Sequence, residues 1–459
     1  MNFDVVIIGG GPGGYVCAVR ASQLGLKVAI VDKTKAELGG TCLTKGCIPT
    51  KTILQSAEIY NFIKRSSEYG IDCDCTNIGI DKIVSRAKSI IGGLNAGVNG
   101  LLAKNKVTLI EGTAKITNKE TVLVNDSEIV CKNIVIATGA KPRLIPGTEE
   151  LLNDGLVWTS KEAIFPAFLP KKILIVGSGA IGVELAAFYN TLGSDVTIVE
   201  MLGRILPQED GEISATAKKL YEKRGIHIIT NGTAQNFKKH DGRVSVEING
   251  SAEMFDIVIM AIGVVPNTDN IGLDEIGIIR KKNGTIETNE YNETSVNGIY
   301  AIGDVAEAPW LAHKASREGI RVAEKIAKIN EITPINLNSI PSCTYSNPQI
   351  ASIGLTEEKA KELGLEIKVG KSYYRCNGRA LSAGEPDGFV KVIFEAKSGE
   401  LLGAHMIGHG VTEMLPIFSV AIAGELTECE LMNAVFPHPT MSECIQEAVY
   451  SAYNMSING

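Results

Sequence analysis

The sequence has 459 residues, of which 44% are hydrophobic and 21% charged, which is the composition of a globular protein with room for about three domains. A net charge of −7 argues against nucleic acid or an anionic membrane surface as the main partner. No apolar run reaches the roughly 18 residues of a membrane-spanning helix, and no export or transit signal precedes the first predicted strand. We therefore expect a cytoplasmic protein without membrane contact.

The chain begins with a pattern that predicts a dinucleotide-binding unit. A β-branched strand over 5–8 is followed by the Gly-x-Gly-x-x-Gly pattern, a helix over 15–24, and a strand over 27–31 that ends at an acid. The glycines and the acid of this unit are Gly9, Gly11, Gly14 and Asp32. Such glycines let a helix N-terminus approach a pyrophosphate, and the acid accepts a hydrogen bond from a ribose hydroxyl.

The next stretch, residues 39–51, contains Cys42 and Cys47. On a regular α-helix their Cα atoms would lie roughly 8.6 Å apart, and a disulfide tolerates about 7 Å. The pair can close only if the backbone bends, and Gly46 and Pro49 are residues that permit a bend. A strained, reachable disulfide is typical of redox chemistry, and the alternative is two unrelated buried thiols.

The following segments carry weaker signals. Helices are predicted over 52–64 and 81–102, and close helix packing explains the glycines at 92, 93, 97 and 100 as well as any function does. The strands at 107–110 and 129–135 are predicted to be antiparallel. Cys73 and Cys75 form a lone Cys-x-Cys without nearby histidines, which is too little for zinc, and we expect no metal. Thr138 and Gly139 end a strand that returns to the first nucleotide site.

A second unit of the same kind follows a boundary near Pro142 and Pro146. It has a strand over 172–176, a glycine loop, a helix over 184–192, and a strand over 195–199 that ends at Glu200. The loop glycines are Gly177, Gly179 and Gly182, and Gly263 follows the returning strand at 257–262. Glu200 suits an unmodified ribose 2′-hydroxyl, so NAD is favoured over NADP.

The last third of the chain has no further glycine loop. Gly303 and Asp304 end a strand, where the acid either bonds a polyol or caps a helix. After a boundary near 336–342 the pattern predicts an α+β packing domain. Near the end, His438 lies between two prolines with Glu443 five residues on, which is either a structural pair or a base with its orienting carboxylate.

Together, the two glycine loops, the Gly-Gly-Thr-Cys-Leu-x-x-Gly-Cys-Ile-Pro-x-Lys stretch and the His-Pro-Thr-x-Ser-Glu stretch resemble the pyridine nucleotide-disulfide oxidoreductases over nearly the whole chain. Within that family the sequence is most similar to the branch that oxidises dihydrolipoamide. The resemblance implies an α/β fold with two Rossmann-like dinucleotide-binding domains, for FAD and NAD, plus a C-terminal α+β dimerisation domain. The implied ranges are 1–144 for FAD, 145–266 for NAD, 267–336 completing the FAD site, and 337–459 for the interface.

The resemblance also implies the ligands of both cofactors. The FAD residues implied are Gly9, Gly11, Gly14, Asp32, Gly40, Thr41, Lys51, Gly112, Ala114, Thr138, Gly139, Asp304 and Ala312. The NAD residues implied are Gly177, Gly179, Gly182, Glu200 and Gly263. The chain departs from the family pattern at Asp32, a small change in reach, and at Gln349, a structural position. It also departs at Val264 and Val265, which puts one contact near the cofactors in doubt, and at Trp310, whose bulk would crowd the nicotinamide site.

The implied reaction is oxidation of protein-bound dihydrolipoamide to lipoamide with reduction of NAD⁺ to NADH. Cys42 would be the interchange thiol and Cys47 the charge-transfer thiolate beside the flavin, with Lys51 paired to Glu184. His438 and Glu443 would reach in from the partner subunit of a homodimer. The lipoyl group would come from another chain, either a lipoyl domain of a 2-oxoacid dehydrogenase complex or the glycine cleavage carrier protein.

Two kinds of alternative remain at this point, another enzyme of the same family and a protein that only binds. Glutathione reductase and its relatives share the cysteine and histidine stretches but favour NADP-binding arginines and a gating tyrosine, where this chain has Ala180. Mercuric reductase would show paired cysteines near the C-terminus, and this chain ends without them. The second alternative is a flavoprotein kept only as a binding component of a complex, which need not retain Cys42, Cys47 and His438 together.

Overall fold

The computed structural model describes residues 2–73 and 77–458; Cys75 of the Cys-x-Cys pair lies outside these residues, and Cys73 is an exposed free thiol. The N-terminal part is built on a seven-stranded sheet with helices on its faces. Its elements are β1 (Asn2–Ile8), α1 (Pro12–Gln23), β2 (Val28–Asp32), α2 (Gly40–Lys45), α3 (Cys47–Lys64), α4 (Ile80–Lys104), β3 (Thr108–Glu111), β4 (Ala114–Asn118), β5 (Thr121–Val124), β6 (Ser127–Ile136) and β7 (Ala140–Pro142).

The second unit has a five-stranded parallel sheet and a three-stranded antiparallel sheet. Its elements are α5 (Glu149–Asn153), β8 (Val157–Trp158), α6 (Ser160–Ile164), β9 (Lys172–Val176), α7 (Ala180–Thr191), β10 (Asp195–Val199), α8 (Gly211–Lys223), β11 (His227–Ile229), β12 (Ala234–His240), β13 (Arg243–Ile248), β14 (Ser251–Phe255), β15 (Ile257–Met260) and β16 (Val264–Pro266). The two units are joined where β16 pairs with β7.

After the second unit the chain returns to the first sheet and then enters a separate domain. The returning elements are β17 (Ile299–Ala301) and α9 (Ala312–Ile326). The C-terminal domain consists of β18 (Ser342–Thr344), β19 (Gln349–Gly354), α10 (Glu357–Glu362), β20 (Ile367–Tyr373), α11 (Gly378–Ser382), β21 (Phe389–Glu395), β22 (Leu401–Gly408), α12 (Val411–Ala423), α13 (Glu428–Asn433) and α14 (Glu443–Ala452). Its five strands form one antiparallel sheet in the order β18-β19-β22-β21-β20.

The strand β6 organises the first sheet, whose order is β3-β2-β1-β6-β5-β4 with β17 also on β6. The N-terminal part of β6 pairs antiparallel with β5, and its C-terminal part pairs parallel with β17. The antiparallel prediction for 107–110 is wrong, because β3 pairs parallel with β2. The prediction for 129–135 holds only for the β5 side, since β6 is parallel to β1.

The alternation of largely apolar strands with helices explains why the parallel strands of both sheets are buried on their two faces. The strands β1, β9 and β15 consist largely of Val and Ile with little or no exposed surface. Parallel strands of this kind require helical crossovers on each face, which α1 and α7 begin. In both units the carboxyl ends of the central strands therefore lead into the glycine loops, where open α/β sheets bind ligands.

The glycines of α4 are not explained by close packing within the chain. A Cβ added at Gly92, Gly93, Gly97 or Gly100 would have no atom within 4 Å. The packing explanation is therefore wrong for the single chain, since this face of α4 carries no neighbouring element among the described residues.

A buried ion cluster joins the second unit to the C-terminal domain. Lys391 on β21 is 1% exposed, and its ammonium lies 2.9 Å from Asp210 and 2.7 Å from both Glu212 and Glu357. Asp210 also caps α8 by accepting a hydrogen bond from the Glu212 amide. The three carboxylates together offset the desolvation of the lysine, and loss of one partner would leave a buried charge uncompensated. The cluster therefore fixes α8 against the C-terminal sheet.

No helix in residues 2–73 and 77–458 has the length and apolarity that crossing a membrane requires. Over the same residues no three His, Cys, Asp or Glu side chains form a group able to hold a metal ion.

Candidate active site

The first glycine loop folds as its spacing predicts. Gly9 has a φ of +108°, and a Cβ there would lie 2.3 Å from the carbonyl oxygen of Ala137. Gly9 is therefore both in the left-handed region and in close contact with the returning strand, so that no other residue fits. Gly11 caps α1, whose first-turn N–H groups have no intrahelical partner. This leaves a backbone cradle of the size and polarity that suits a pyrophosphate.

The second glycine loop has nearly the same backbone dihedral angles as the first. Gly177 has a φ of +99°, and its Cβ would lie 2.4 Å from the carbonyl oxygen of Ala261. The caps Gly11 and Gly179 have φ/ψ of −67°/−177° and −68°/−178°. A Cβ added at Gly14 or at Gly182 would lie 1.9 or 2.1 Å from the carbonyl oxygen of the first glycine of its loop, so neither position has room for a side chain. The chain therefore holds two sites of one design, and both fit a dinucleotide.

The acid after the second strand of each unit is hydrogen-bonded to the glycine loop of the same unit. Asp32 accepts hydrogen bonds from the amides of Gly10 and Lys33, both at 2.6 Å, and burial raises the pKa of this carboxyl. Glu200 is buried and accepts from the amide and hydroxyl of Ser178 and from the amide of Leu202. Ser178 was not predicted as a site residue; its place between two loop glycines was the available signal.

The remaining residues expected around FAD lie at loops and strand ends of the first sheet. Gly40 has a positive φ, and a Cβ added there would lie 2.5 Å from the Cα of Gly11, so α2 begins close against the first glycine loop. The Thr138 hydroxyl donates to the Asn267 carbonyl at 2.8 Å. The structure places the others as follows: Thr41 exposed in α2, Gly112 between β3 and β4, Ala114 at the start of β4, Gly139 and Gly263 at positive φ beside the β7–β16 pair, and Ala312 as the first residue of α9.

Asp304 is supported by a buried ion pair that the sequence did not reveal. Burial raises the pKa of the Asp304 carboxyl, and the nearby Lys314 charge opposes that rise. Lys314 lies 2.7 Å from Glu318, and both side chains are almost fully buried. Glu318 in turn accepts from the amide of Gly303 at 2.8 Å. The pair therefore fixes the turn that carries Asp304, and the i, i+4 spacing of a lysine and a glutamate was its only sequence signal.

The bend between the cysteines is at Gly46. Helix α2 ends at Lys45, α3 begins at Cys47, and Gly46 between them has φ −142° and ψ −111°. The bend predicted at Gly46 is thus confirmed. Pro49 does not bend the chain, because it lies in the first turn of α3, where an N–H has no intrahelical partner to lose.

The two thiols differ in acidity because of their contacts. Both are free, and the Cys42 side chain is hydrogen-bonded to Cys47. This bond, burial and the charge of Cys47 raise the pKa of Cys42. The same bond lowers the pKa of Cys47, burial opposes that effect, and the Lys51 charge adds to it. In the dithiol form Cys47 is therefore the more acidic of the two thiols, and Cys42 holds its proton more tightly.

The ion pair expected between Lys51 and Glu184 is present. The Lys51 ammonium lies 2.9 and 2.8 Å from the two carboxylate oxygens of Glu184. Lys51 is one turn after Cys47 on α3, and Glu184 is in the middle of α7, where only 5% of its side chain is exposed. The backbone amide of Tyr345 donates to Glu184 at 2.8 Å, a contact the sequence did not indicate.

His438 and Glu443 form a pair apart from the cysteines. The His438 Nδ1 atom lies 2.8 Å from Glu443 Oε1, and 80% of the histidine side chain is exposed. Burial raises the pKa of Glu443, but bonds from the Thr440 amide and from His438 outweigh it, and the net effect is a lowered pKa. Among the described contacts none joins His438 to Cys42 or Cys47. The pair faces outward from the C-terminal domain.

The comparisons with known proteins cover the whole chain. The family model described as pyridine nucleotide-disulphide oxidoreductase matches residues 3–319, and the model of its dimerisation domain matches residues 340–449. The chain is 46% identical to a dihydrolipoyl dehydrogenase of Zymomonas mobilis subsp. mobilis and 45% identical to one of Rhizobium etli, covering 100% of this chain and 99% of each relative. The solved structure of the HOCl-induced flavoprotein disulfide reductase RclA from Escherichia coli is similar with a TM-score of 0.86 and 26% identity, over 97% of this chain and 99% of that one.

The bend at Gly46 yields a testable prediction. A Cβ at this position would lie 2.9 Å from the Thr41 carbonyl oxygen, so Gly46→Ala must shift α2 against α3. We expect disulfide closure between Cys42 and Cys47 to slow by about tenfold, from the usual cost of overpacking. The rate is measured by treating reduced protein with a small-molecule disulfide and counting residual thiols after denaturation. Lys45→Ala on the same helix is the control, and closure of Gly46→Ala at the control rate would contradict the assignment of the bend.

Proposed function

This chain belongs to the pyridine nucleotide-disulphide oxidoreductase family, and we propose that it acts as a dihydrolipoyl dehydrogenase, oxidising protein-bound dihydrolipoamide to lipoamide and reducing NAD⁺ to NADH. The observation that carries the proposal is the Cys42–Cys47 pair with its unequal acidity, next to the Lys51–Glu184 ion pair. Relatives with 46% and 45% identity over the full length, both named dihydrolipoyl dehydrogenase, support the choice of substrate.

In the proposed reaction the two cysteines exchange their disulfide with the substrate dithiol. A base removes the proton of one substrate thiol, and the thiolate attacks Cys42 Sγ. The Cys42–Cys47 bond breaks, and Cys47 leaves as a thiolate. The second substrate thiol, once deprotonated, attacks the substrate sulfur bound to Cys42, so that lipoamide leaves with its own disulfide and Cys42 takes a proton. The electron pair is then held by the two cysteines.

The acidity difference fits these roles. Cys47 is the better leaving group because its pKa is lowered, and a thiol of lower pKa leaves faster. Cys42 is half-buried and Cys47 is exposed, so a substrate arm carried on another protein has a path to the pair. The chemistry supplied by bound FAD and NAD⁺ is acceptance of an electron pair and of a hydride. For FAD we assign the first glycine loop with Asp32 and Asp304, and for NAD the second loop with Glu200.

Two contacts favour NAD over NADP at the second loop. Glu200 is fixed by three donors at the end of β10, where a 2′-phosphate would meet its negative charge. Arg204, the nearest arginine after the strand, is paired with Glu358 of the C-terminal domain at 2.8 Å and donates to the Pro207 carbonyl. Its guanidinium is therefore already bound to other groups and does not offer a partner for a ribose 2′-phosphate.

We assign His438 as the base and Glu443 as the residue that orients it, acting in the cysteine site of the partner subunit. Glu443 holds Nδ1 of His438, so that Nε2 is free to take the substrate proton. The imidazole is exposed in the single chain, and it lies in the domain that matches the family's dimerisation domain. A homodimer with two shared sites satisfies both observations. We assign the lipoyl partner to a separate carrier, a 2-oxoacid dehydrogenase lipoyl domain or the glycine cleavage carrier protein. We assign the location to the cytoplasm, where the described free cysteines other than Cys42 and Cys47 would stay reduced.

The role of Cys47 can be tested on the flavin. In Cys47→Ser, dihydrolipoamide should not bleach the bound flavin, because no thiolate can pass the electron pair on. Stopped-flow absorbance of the oxidised protein mixed with dihydrolipoamide gives the rate. Cys73→Ser, which changes an exposed thiol in a remote loop, should bleach at the unmodified rate. Bleaching of Cys47→Ser at the control rate would overturn the assignment.

The shared site makes a distinct prediction for hybrid dimers. A dimer of one Cys47→Ser subunit and one His438→Gln subunit would hold one site with both changes and one with neither. We expect about half the activity of the unmodified dimer, although each variant homodimer is nearly inactive. The hybrid is prepared by co-expression with two different affinity tags and assayed for NADH formation. An inactive hybrid would show that His438 serves the cysteines of its own chain.

A further inference from the structure

The dimerisation domain touches the redox site of its own chain through Tyr345. This residue follows β18, and its amide donates to Glu184 Oε1 at 2.8 Å. Its aromatic ring lies under the Lys51 ammonium, with 4.7 Å from Nζ to the ring centroid. Tyr345 thus contacts both members of the ion pair, Glu184 through its backbone amide and Lys51 through its aromatic ring.

The segment that carries Tyr345 is held firmly in place. The buried Ser346 hydroxyl is hydrogen-bonded to Tyr221 of α8 at 2.6 Å and to the Pro348 carbonyl at 2.7 Å. Arg224, the residue after α8, donates to the Asn347 carbonyl. These contacts anchor residues 345–348 to the second unit, so Tyr345 has little freedom to move away from Lys51.

The ring limits where the Lys51 ammonium can go. A third of the Lys51 side chain is exposed, and a lysine with four rotatable carbon–carbon bonds readily turns its charge toward water. Attraction to the face of an aromatic ring opposes that movement. Glu184 alone does not prevent it, since a lysine can satisfy a carboxylate from several directions. The ring and the carboxylate together define one position.

The position of the Lys51 ammonium matters because the charges of Lys51 and Glu184 both act on the pKa of Cys47. The Lys51 charge lowers the pKa of the Cys47 thiol, and the Glu184 charge raises it. The balance depends on the distance from each charge to the sulfur, and Coulomb energies between charges about 4 Å and about 8 Å apart differ twofold. A modest displacement of Lys51 therefore changes the pKa of the Cys47 thiol.

We propose that Tyr345 is a positioning residue of the redox site: its ring and its amide fix Lys51 and Glu184 so that the thiolate form of Cys47 is maintained. The inference rests on the proposed function in taking Cys47 as a redox thiol. It assigns the dimerisation domain a second task. The domain carries His438 for the partner's site, and through Tyr345 it also sets the reactivity of the cysteine in its own chain.

The experiment measures the alkylation rate of Cys47 against pH in the purified, cofactor-loaded dimer. Iodoacetamide reacts with the thiolate only, and mass spectrometry of the Cys47 peptide separates this site from the other cysteines. A Cys42→Ser background removes the neighbouring thiol, so a single midpoint is obtained. In Tyr345→Leu we expect this midpoint to move up by about one pH unit. In Tyr345→Phe, which keeps the ring, we expect no shift.

Two results would overturn the inference. The first is an unchanged midpoint in Tyr345→Leu, and the second is an equal shift in Tyr345→Phe, which would assign the effect to the phenol hydroxyl. If Tyr345→Leu fails to fold, Tyr345→Met removes the ring with an unbranched side chain, and the same expectations apply.

A double-mutant cycle separates positioning from general structural damage. In a Lys51→Met background the ring has no cation to hold, so Tyr345→Leu should add no further shift. An added shift of the same size would overturn the inference. None of these measurements uses dihydrolipoamide, so failure of the proposed substrate leaves the outcome for Tyr345 readable on its own.

Discussion

The structure depends on one buried carboxylate, Glu184. It lies in the middle of α7, with 5% of its side chain exposed, and it is neutralised by Lys51 from α3. The Tyr345 amide supplies a further donor from the C-terminal domain. Because an unpaired buried charge costs on the order of 3 kcal/mol or more, the three parts of the chain must meet at this point. Helix α3, which begins at Cys47, is thereby fixed against α7 and the C-terminal domain.

Around this junction the chain uses one backbone design twice. The first glycine of each loop lies at a positive φ against the carbonyl of a returning strand, at Ala137 and at Ala261. Each loop opens a helix whose first-turn amides are free for a pyrophosphate. The cysteine helices lie beside the first loop, where a Cβ added at Gly40 would meet the Cα of Gly11. The chain thus carries two glycine loops of one design and places the dithiol pair beside the first of them.

Much of this arrangement is predictable from local sequence, since glycine spacing and strand-ending acids encode backbone geometry within about 30 residues. The strand limits 172–176 and 195–199 agree with the structure, and so does the bend at Gly46. Among contacts between distant segments, the Lys51–Glu184 pair was expected only from the family resemblance, and others were not predictable. The parallel pairing of β3, the contact of Glu318 with the Gly303 amide, and the contacts of Tyr345 depend on tertiary packing that no periodicity encodes. The open space around the α4 glycines was also not predictable, because the spacing of glycines in a sequence does not show whether another element packs against them.

The central claim is that this site moves electrons from a dihydrolipoyl dithiol to NAD⁺. The most direct measurement is NADH formation by the purified, FAD-loaded dimer with dihydrolipoamide and NAD⁺, with NADP⁺ in a parallel reaction. The account predicts rapid growth of nicotinamide absorbance with NAD⁺ and essentially none with NADP⁺. No growth with NAD⁺ from a folded, flavin-loaded dimer would contradict it, and would identify the cysteine pair as serving another disulfide.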